Sequence, residues 1–236
     1  MPTYSALHGY FAIANGYTLM QHTNSTSANA LRFFCHPTSR ARTVRWMLEE
    51  CAAAYEAVPL EYDTSMKAPA FLALNPMGKV PALQHGETVI TETAAILAYL
   101  ADLFPERQLA PATGSAERGS YYRWLFFVAG PIEAIYTAQS EGWLAQQTPL
   151  QARAAGYGRM EDVIRTLQQA VQGKSYVCGT HFTAADLYLA SFLAWACQCG
   201  ELPQLPEFER YYQPLLNRPA ALRAKQIDDN LASTQA

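Results

Sequence analysis

Apolar positions recur along this chain with two different spacings, and the elements they predict change character near its middle. Residues 31–36, LRFFCH, are a short aromatic-rich run halted by Pro37, the pattern of a strand. Val44, Met47, Leu48 and Cys51 then stand at i, i+3, i+4 and i+7, the apolar stripe of an amphipathic helix. YEAVPLEY (55–62) reads as a second strand, moved towards an edge or a bulge by Pro59. The segment 63–80 holds few regular signals and ends in LNPMGKVP. PALQH and TVIT flank a Gly turn, a hairpin pattern. ETAAILAYLADLF follows at once, with Ile96, Leu97, Leu100, Leu103 and Phe104 at helical spacing. The predicted order is β-α-β-(α)-β-β-α.

PERQLAPATGS (105–115) combines Pro105, Pro111, Gly114 and Ser115, the composition of a linker. Beyond it no strand pattern recurs. Residues 117–143 predict one long helix kinked at Gly130-Pro131, because an interior proline removes a backbone hydrogen bond and crowds the preceding turn. Pro149 opens the next helix, with Thr148 as its cap and Met160, Val163, Ile164, Leu167 and Val171 as its apolar stripe. A third helix runs from Thr183 to about Gly200 and a fourth over 206–217. The layout is an α/β domain over 30–105, a linker over 106–115 and an all-helical domain over 116–236. Residues 1–29 are expected to be a poorly ordered extension. They carry no charged side chain, their ANA at 28–30 mimics a cleavage site, and the positive region of a signal peptide is missing. Met20 is an alternative start.

Composition narrows the function classes. With 236 residues, half of them apolar and 16% charged, the chain can bury a sizeable core and is too apolar for disorder. A net charge of −3 and the lack of a basic stripe argue against nucleic acid, and no apolar run is long enough to span a membrane. The five cysteines form no CxxC pair, so neither a disulfide framework nor a metal site is expected; buried, reduced thiols in a cytoplasmic protein are.

Four segments stand in order: PTSRARTVRWMLEE, NPMGKVPAL, ITETAAILAYLADLFPE and FTAADLYLA. Together with the α/β-then-α layout they resemble the cytosolic, bacterial-type glutathione transferase family, over about Leu31 to Leu222. The resemblance implies a thioredoxin-like N-terminal domain, a helical C-terminal domain and a glutathione site at the cleft between them. Glutathione would be the co-substrate, no metal would be needed, and the chain would pair as a homodimer.

The resemblance also implies roles. In KVPAL the Val80–Pro81 bond would be cis, holding the Val80 backbone outward to pair with the cysteinyl part of glutathione as an added strand. Lys79 could reach a glutathione carboxylate or be solvated. At Glu92-Thr93, helix N-terminal N–H groups and the Thr93 hydroxyl would hold the γ-glutamyl carboxylate, and Glu92 its ammonium. Thr183 and Asp186 form a capping box with a structural role, whose loss would cost about 1–2 kcal/mol. The thiolate, not the thiol, is the nucleophile, and a hydroxyl at a strand-to-helix turn favours it. Aligned back from Val44, that position is Thr38, with Ser39 a second candidate and Arg40 an electrostatic helper on glutathione. The family more often has Ser or Cys at this position, and its Tyr classes use a site near Phe33 or Phe34, so this chain departs from both patterns. Cys35 and His36 are expected in the strand, one facing the core and the other the helix layer. Arg42 and Arg45 are expected on a solvated face or in interdomain salt bridges. Phe126, Phe127, Glu133 and Tyr136 could line the pocket for a small apolar electrophile, or be plain core. Two other functions stay open: glutathione-dependent disulfide or peroxide reduction, and a low-activity glutathione- or ligand-binding module.

Overall fold

The computed structural model describes residues 30–235, so the expectations about residues 1–29 lie outside the described residues. Strand β1 (Leu31–Cys35) leads through a turn into helix α1 (Ala41–Cys51), which returns the chain to β2 (Tyr55–Pro59), parallel to β1. A 3-10 turn (Ser65–Lys67) and the short α2 (Pro69–Leu72) precede the hairpin β3 (Ala82–His85) and β4 (Thr88–Thr91), then α3 (Thr93–Leu103). The sheet order is β2-β1-β3-β4, with β3 antiparallel to both neighbours. β2 lies at an edge, where Pro59 removes no interior ladder bond.

Strand alternation decides which side chain meets which layer. Leu31, Phe33 and Cys35 join the main core with Val44, Met47, Leu48, Ile96 and Leu97 from α1 and α3. Phe34 points the other way, into a smaller core with Leu60, Met66, Phe71 and Ala82. The weakly patterned segment 63–80 therefore covers the second face of the sheet.

The rest of the chain is helical: α4 (Ala116–Phe127), α5 (Glu133–Ser140), α6 (Pro149–Ala154), α7 (Met160–Val171), α8 (Ala184–Gln198), α9 (Pro206–Leu216) and α10 (Pro219–Gln235). At Gly130-Pro131 the helix widens into a π-helical turn over Val128–Ile132. The longer hydrogen-bond spacing accommodates the proline, which has no N–H to donate. The helix expected from Pro149 through Val171 is two helices, separated around Gly156 and Gly158, the latter at φ 70°. α8 is buried on nearly every side, its alanines allowing close approach of α4 and α9. Asp186 anchors it, accepting hydrogen bonds from the Val177, Thr183 and Tyr211 groups.

α10 has no counterpart in the apolar spacing. It runs antiparallel to α1, tied to it by Arg42–Asp229, Arg45–Asp228 and Arg223–Glu49, with Arg218–Glu50 just before it. Arg42 and Arg45 thus lie in interdomain ion pairs. Among the described residues, no helix is long and apolar enough to cross a membrane.

Candidate active site

Sheet register brings four segments to one end of the molecule. Cys35 pairs with Pro59, Phe34 with Ala82 and Ala82 with Thr91, so residues 36–40, 60–62, 79–81 and 91–93 all emerge together. The Val80–Pro81 bond is cis. The turn before it is fastened by Asn75 Nδ2 donating to Lys79 O (2.8 Å) and by Lys67 Nζ donating to Met77 O and Gly78 O. Gly78 is required there: its φ is 57°, and a Cβ would stand 2.7 Å from Met66 O. Lys79 is exposed and Val80 half-buried.

The turn from β1 into α1 is an interlocked set of hydroxyls around one imidazole. Thr38 is exposed, with Oγ1 3.0 Å from His36 Nδ1, and its N–H donates to the same nitrogen at 3.3 Å. Ser39 Oγ donates to His36 O at 2.8 Å and accepts from Ala41 N–H at 3.1 Å, so Ser39 is occupied in holding the start of α1. His36 is buried, its Nε2 3.6 Å from Glu61 Oε2 and its ring 4.3 Å from that of Tyr62. Cys35 faces the core as one of the two expected directions, its Sγ 3.2 Å from Arg45 Nη2, and burial pushes its thiol up. His36, however, lies just past the strand and turns into the site instead of the helix layer. β1 ends at Cys35, which frees the next residue from the ladder.

Glu92 sits at φ 67° and ψ 122°, a strained conformation for a residue with a side chain, between β4 and α3. Thr93 is the first residue of α3 and is buried. The buried phenol of Tyr188 on α8 is raised above its ordinary value chiefly by burial, and the Thr93 side chain opposes that rise. Glu133 adds to that rise, whereas Arg40 opposes it. Tyr188 is therefore the buried floor joining these segments.

Arg40 and Glu133 meet in a bidentate pair, with Arg40 Nε 2.7 and 2.8 Å from the two carboxylate oxygens and Nη2 bonded to Oε2. The Arg40 guanidinium also lies 5.9 Å from the Trp195 ring. Tyr136 packs edge-on against Trp195 at 4.5 Å and against Phe192. Arg40, Glu133 and Tyr136, expected in two subsites, thus form one wall. Phe126 is not part of it: α4 leaves this side chain 67% exposed. Its neighbour Phe127 lines an open cleft of about 800 Å³ with Pro131, Leu150, Tyr157 and Arg159, which contains none of the wall or turn residues. Sequence reasoning passed over Tyr188, Phe192 and Trp195, although their i, i+4 and i+7 spacing marks one helix face. Among the described residues, no group of His, Cys, Asp and Glu could hold a metal ion.

The glutathione S-transferase N-terminal domain family matches residues 29–102, and the glutathione S-transferase C-terminal domain family residues 151–213. Glutathione S-transferase GstA of Escherichia coli O157:H7 is 31% identical over 151 residues, covering 63% of this chain and 73% of that one. Glutathione S-transferase GST-4.5 of Xanthomonas campestris pv. campestris is 30% identical over 175 residues, 70% of this chain and 84% of its own. A sphingomonad glutathione S-transferase, solved in complex with glutathione, superposes with a TM-score of 0.68 at 28% identity, over 84% of this chain and 98% of that one.

Proposed function

This chain belongs to the glutathione S-transferase family and is a glutathione transferase, and on that premise we propose that its exposed Thr38 hydroxyl receives the glutathione sulfur. The observation that carries this reading is the shared sheet end: Thr38, Val80 and the Glu92-Thr93 pair open on one side of the molecule. A free thiol with pKa ~8.5 is only a few per cent ionised at neutral pH, so the site must favour the anion. Thr38 stands at the positive end of α1, where a hydroxyl and the helix dipole act together. Ser39, with its hydroxyl already bonded on both sides, is the weaker candidate.

The tripeptide then lies along the sheet end. Val80 offers its backbone to the cysteinyl unit, and Lys79 faces a carboxylate. Glu92 takes the γ-glutamyl ammonium, and the α3 N-terminus with Thr93 takes the adjoining carboxylate. Arg40 serves by fixing α1 against Glu133 more than by touching ligand. A small apolar electrophile fits beside Tyr136, Phe192 and Trp195. The sulfur forms a bond to its carbon, and a leaving group such as chloride departs with the electron pair.

Tyr122 and Phe126, one turn apart and both exposed on α4, give an apolar face that a second copy would cover in a homodimer. Five free thiols, four of them buried, fit a reducing cytoplasm. The test compares wild type with Thr38→Ala on chlorodinitrobenzene and on a mixed disulfide of glutathione. Loss of chlorodinitrobenzene turnover by about tenfold or more, with glutathione affinity kept, is expected. Unchanged turnover would remove Thr38 from the chemistry, and turnover confined to the mixed disulfide would make the protein a reductase.

A further inference from the structure

We propose that His36 accepts the glutathione thiol proton through the Thr38 hydroxyl, an inference that rests on the sulfur binding at Thr38. His36 Nδ1 receives the Thr38 backbone N–H at 3.3 Å, so in the neutral ring this nitrogen carries no proton and Nε2 does. The Thr38 hydroxyl, 3.0 Å away, accordingly donates its hydrogen to Nδ1. In that state the hydroxyl has lone pairs but no hydrogen to offer a ligand. It is an acceptor waiting for a donor, and an arriving thiol is one.

Transfer then needs two short proton steps. The S–H bond breaks with its electron pair staying on sulfur, and the proton bonds to Thr38 Oγ1. The original hydroxyl proton moves from Oγ1 to His36 Nδ1, leaving its bonding pair on oxygen. The result is a thiolate, an imidazolium, and a Thr38 hydroxyl whose hydrogen now points at sulfur. One transfer both makes the anion and turns the hydroxyl into its donor. When the neutral thioether leaves, the proton returns to solvent by the same route.

A carboxylate and an aromatic ring face the imidazole. Glu61 Oε2 lies 3.6 Å from Nε2, and the Tyr62 ring lies against the imidazole at 4.3 Å between centroids, tilted by 48°. Arg42 is the opposing charge, its guanidinium on Pro37 O at 3.0 Å, but it is already paired with Asp229. The cost of the relay is the contact between Thr38 N–H and Nδ1, which the imidazolium loses.

The experiment follows the thiolate absorbance of bound glutathione and kcat/KM for chlorodinitrobenzene against pH, in wild type, His36→Asn, Glu61→Gln and Thr38→Ala. Asparagine can accept the Thr38 hydroxyl but cannot take its proton. His36→Asn should lose about tenfold or more in kcat/KM near pH 6.5, with the gap closing by about pH 9 as the thiol ionises unaided. A purely structural defect would persist across the whole range. Glu61→Gln, which keeps the ring, should shift the same limb by about two- to five-fold, as suits a half-exposed carboxylate, and it carries the test if His36→Asn does not fold. Superimposable profiles for wild type and either of these folded variants, with Thr38→Ala displaced, would overturn the relay and leave the sulfur at Thr38. An undisplaced Thr38→Ala profile would overturn the placement of the sulfur itself.

Discussion

Replacing Asp186 tests how much of the helical domain hangs from one carboxylate. As a helix cap alone, its loss would cost about 1–2 kcal/mol. The structure assigns it four donors. Oδ1 accepts from Val177 N–H at 2.7 Å and Tyr211 Oη at 2.8 Å, and Oδ2 accepts from Thr183 N–H and Oγ1, both at 2.9 Å. The residue is fully buried. Only an ionised carboxylate can accept all four at once, although burial outweighs these bonds and leaves the carboxyl raised. Asp186→Ala orphans four buried donors at roughly 1–3 kcal/mol each, and water entering the vacated space recovers part of that. The expected loss is about 4 kcal/mol, against about 1 kcal/mol for Thr183→Ala. Asp186→Asn keeps one acceptor oxygen for Val177 and Tyr211 but turns an amide donor towards the Thr183 N–H, so about 2–3 kcal/mol is expected. Urea unfolding followed by tryptophan fluorescence gives all three values. An Asp186→Ala loss no larger than that of Thr183→Ala would refute the four-donor anchor and reduce Asp186 to a cap.

Two further predictions concern the seam between α1 and α10. Arg45 and Asp228 meet at 2.7 Å with both side chains 1% exposed, so Asp228→Leu strands a buried guanidinium and should cost about 3–5 kcal/mol in urea unfolding, which Arg45→Met/Asp228→Leu largely recovers; equal losses in single and double variants would refute the pair as the cause. Asp229 is held below its ordinary value by hydrogen bonds from Lys225 and then Arg42, so the folded chain gives up that proton more readily than the unfolded one. Its contribution is full above the unfolded value of ~3.9 and disappears as pH falls through the lower folded value, limited by exposure to a few tenths of a kcal/mol. Asp229→Asn should therefore lower Tm slightly at about pH 6 and not at about pH 2, and an equal effect at both would contradict the linkage.

Elements held by a single repeating spacing could be read from the chain. The stripe Val44-Met47-Leu48-Cys51 became the buried face of α1, and the hairpin around Gly86 formed where two apolar runs flank a turn. Elements held by partners distant in sequence could not. α10 has only three large apolar residues, Leu222, Ile227 and Leu231, and packs through Ala220, Ala221 and Ala224 together with ion pairs to α1, so its periodicity is weak. The gap between α6 and α7 follows from two glycines that a spacing argument bridges too easily. In the site, the position of Thr38 came from resemblance, whereas the role of His36 depends on Glu61 and Tyr62 arriving from beyond β2. No local pattern announces that meeting.

The charges of α1 explain why the turn that carries Thr38 in one domain depends on the other. Arg40 is gripped by Glu133 of α5, Arg42 and Arg45 by Asp229 and Asp228 of α10, and Glu49 and Glu50 by Arg223 and Arg218. Basic residues begin α1 and acidic residues end it, and α10 shows the same order, so only an antiparallel placement satisfies every pair. A slip of one turn would oppose like charges and bury Arg45 without a partner, which is far costlier than losing an exposed pair. The helical domain therefore fixes the axial position of α1, and with it the height of Thr38 above the sheet end. In this chain, the second domain sets the reach of the first domain's hydroxyl.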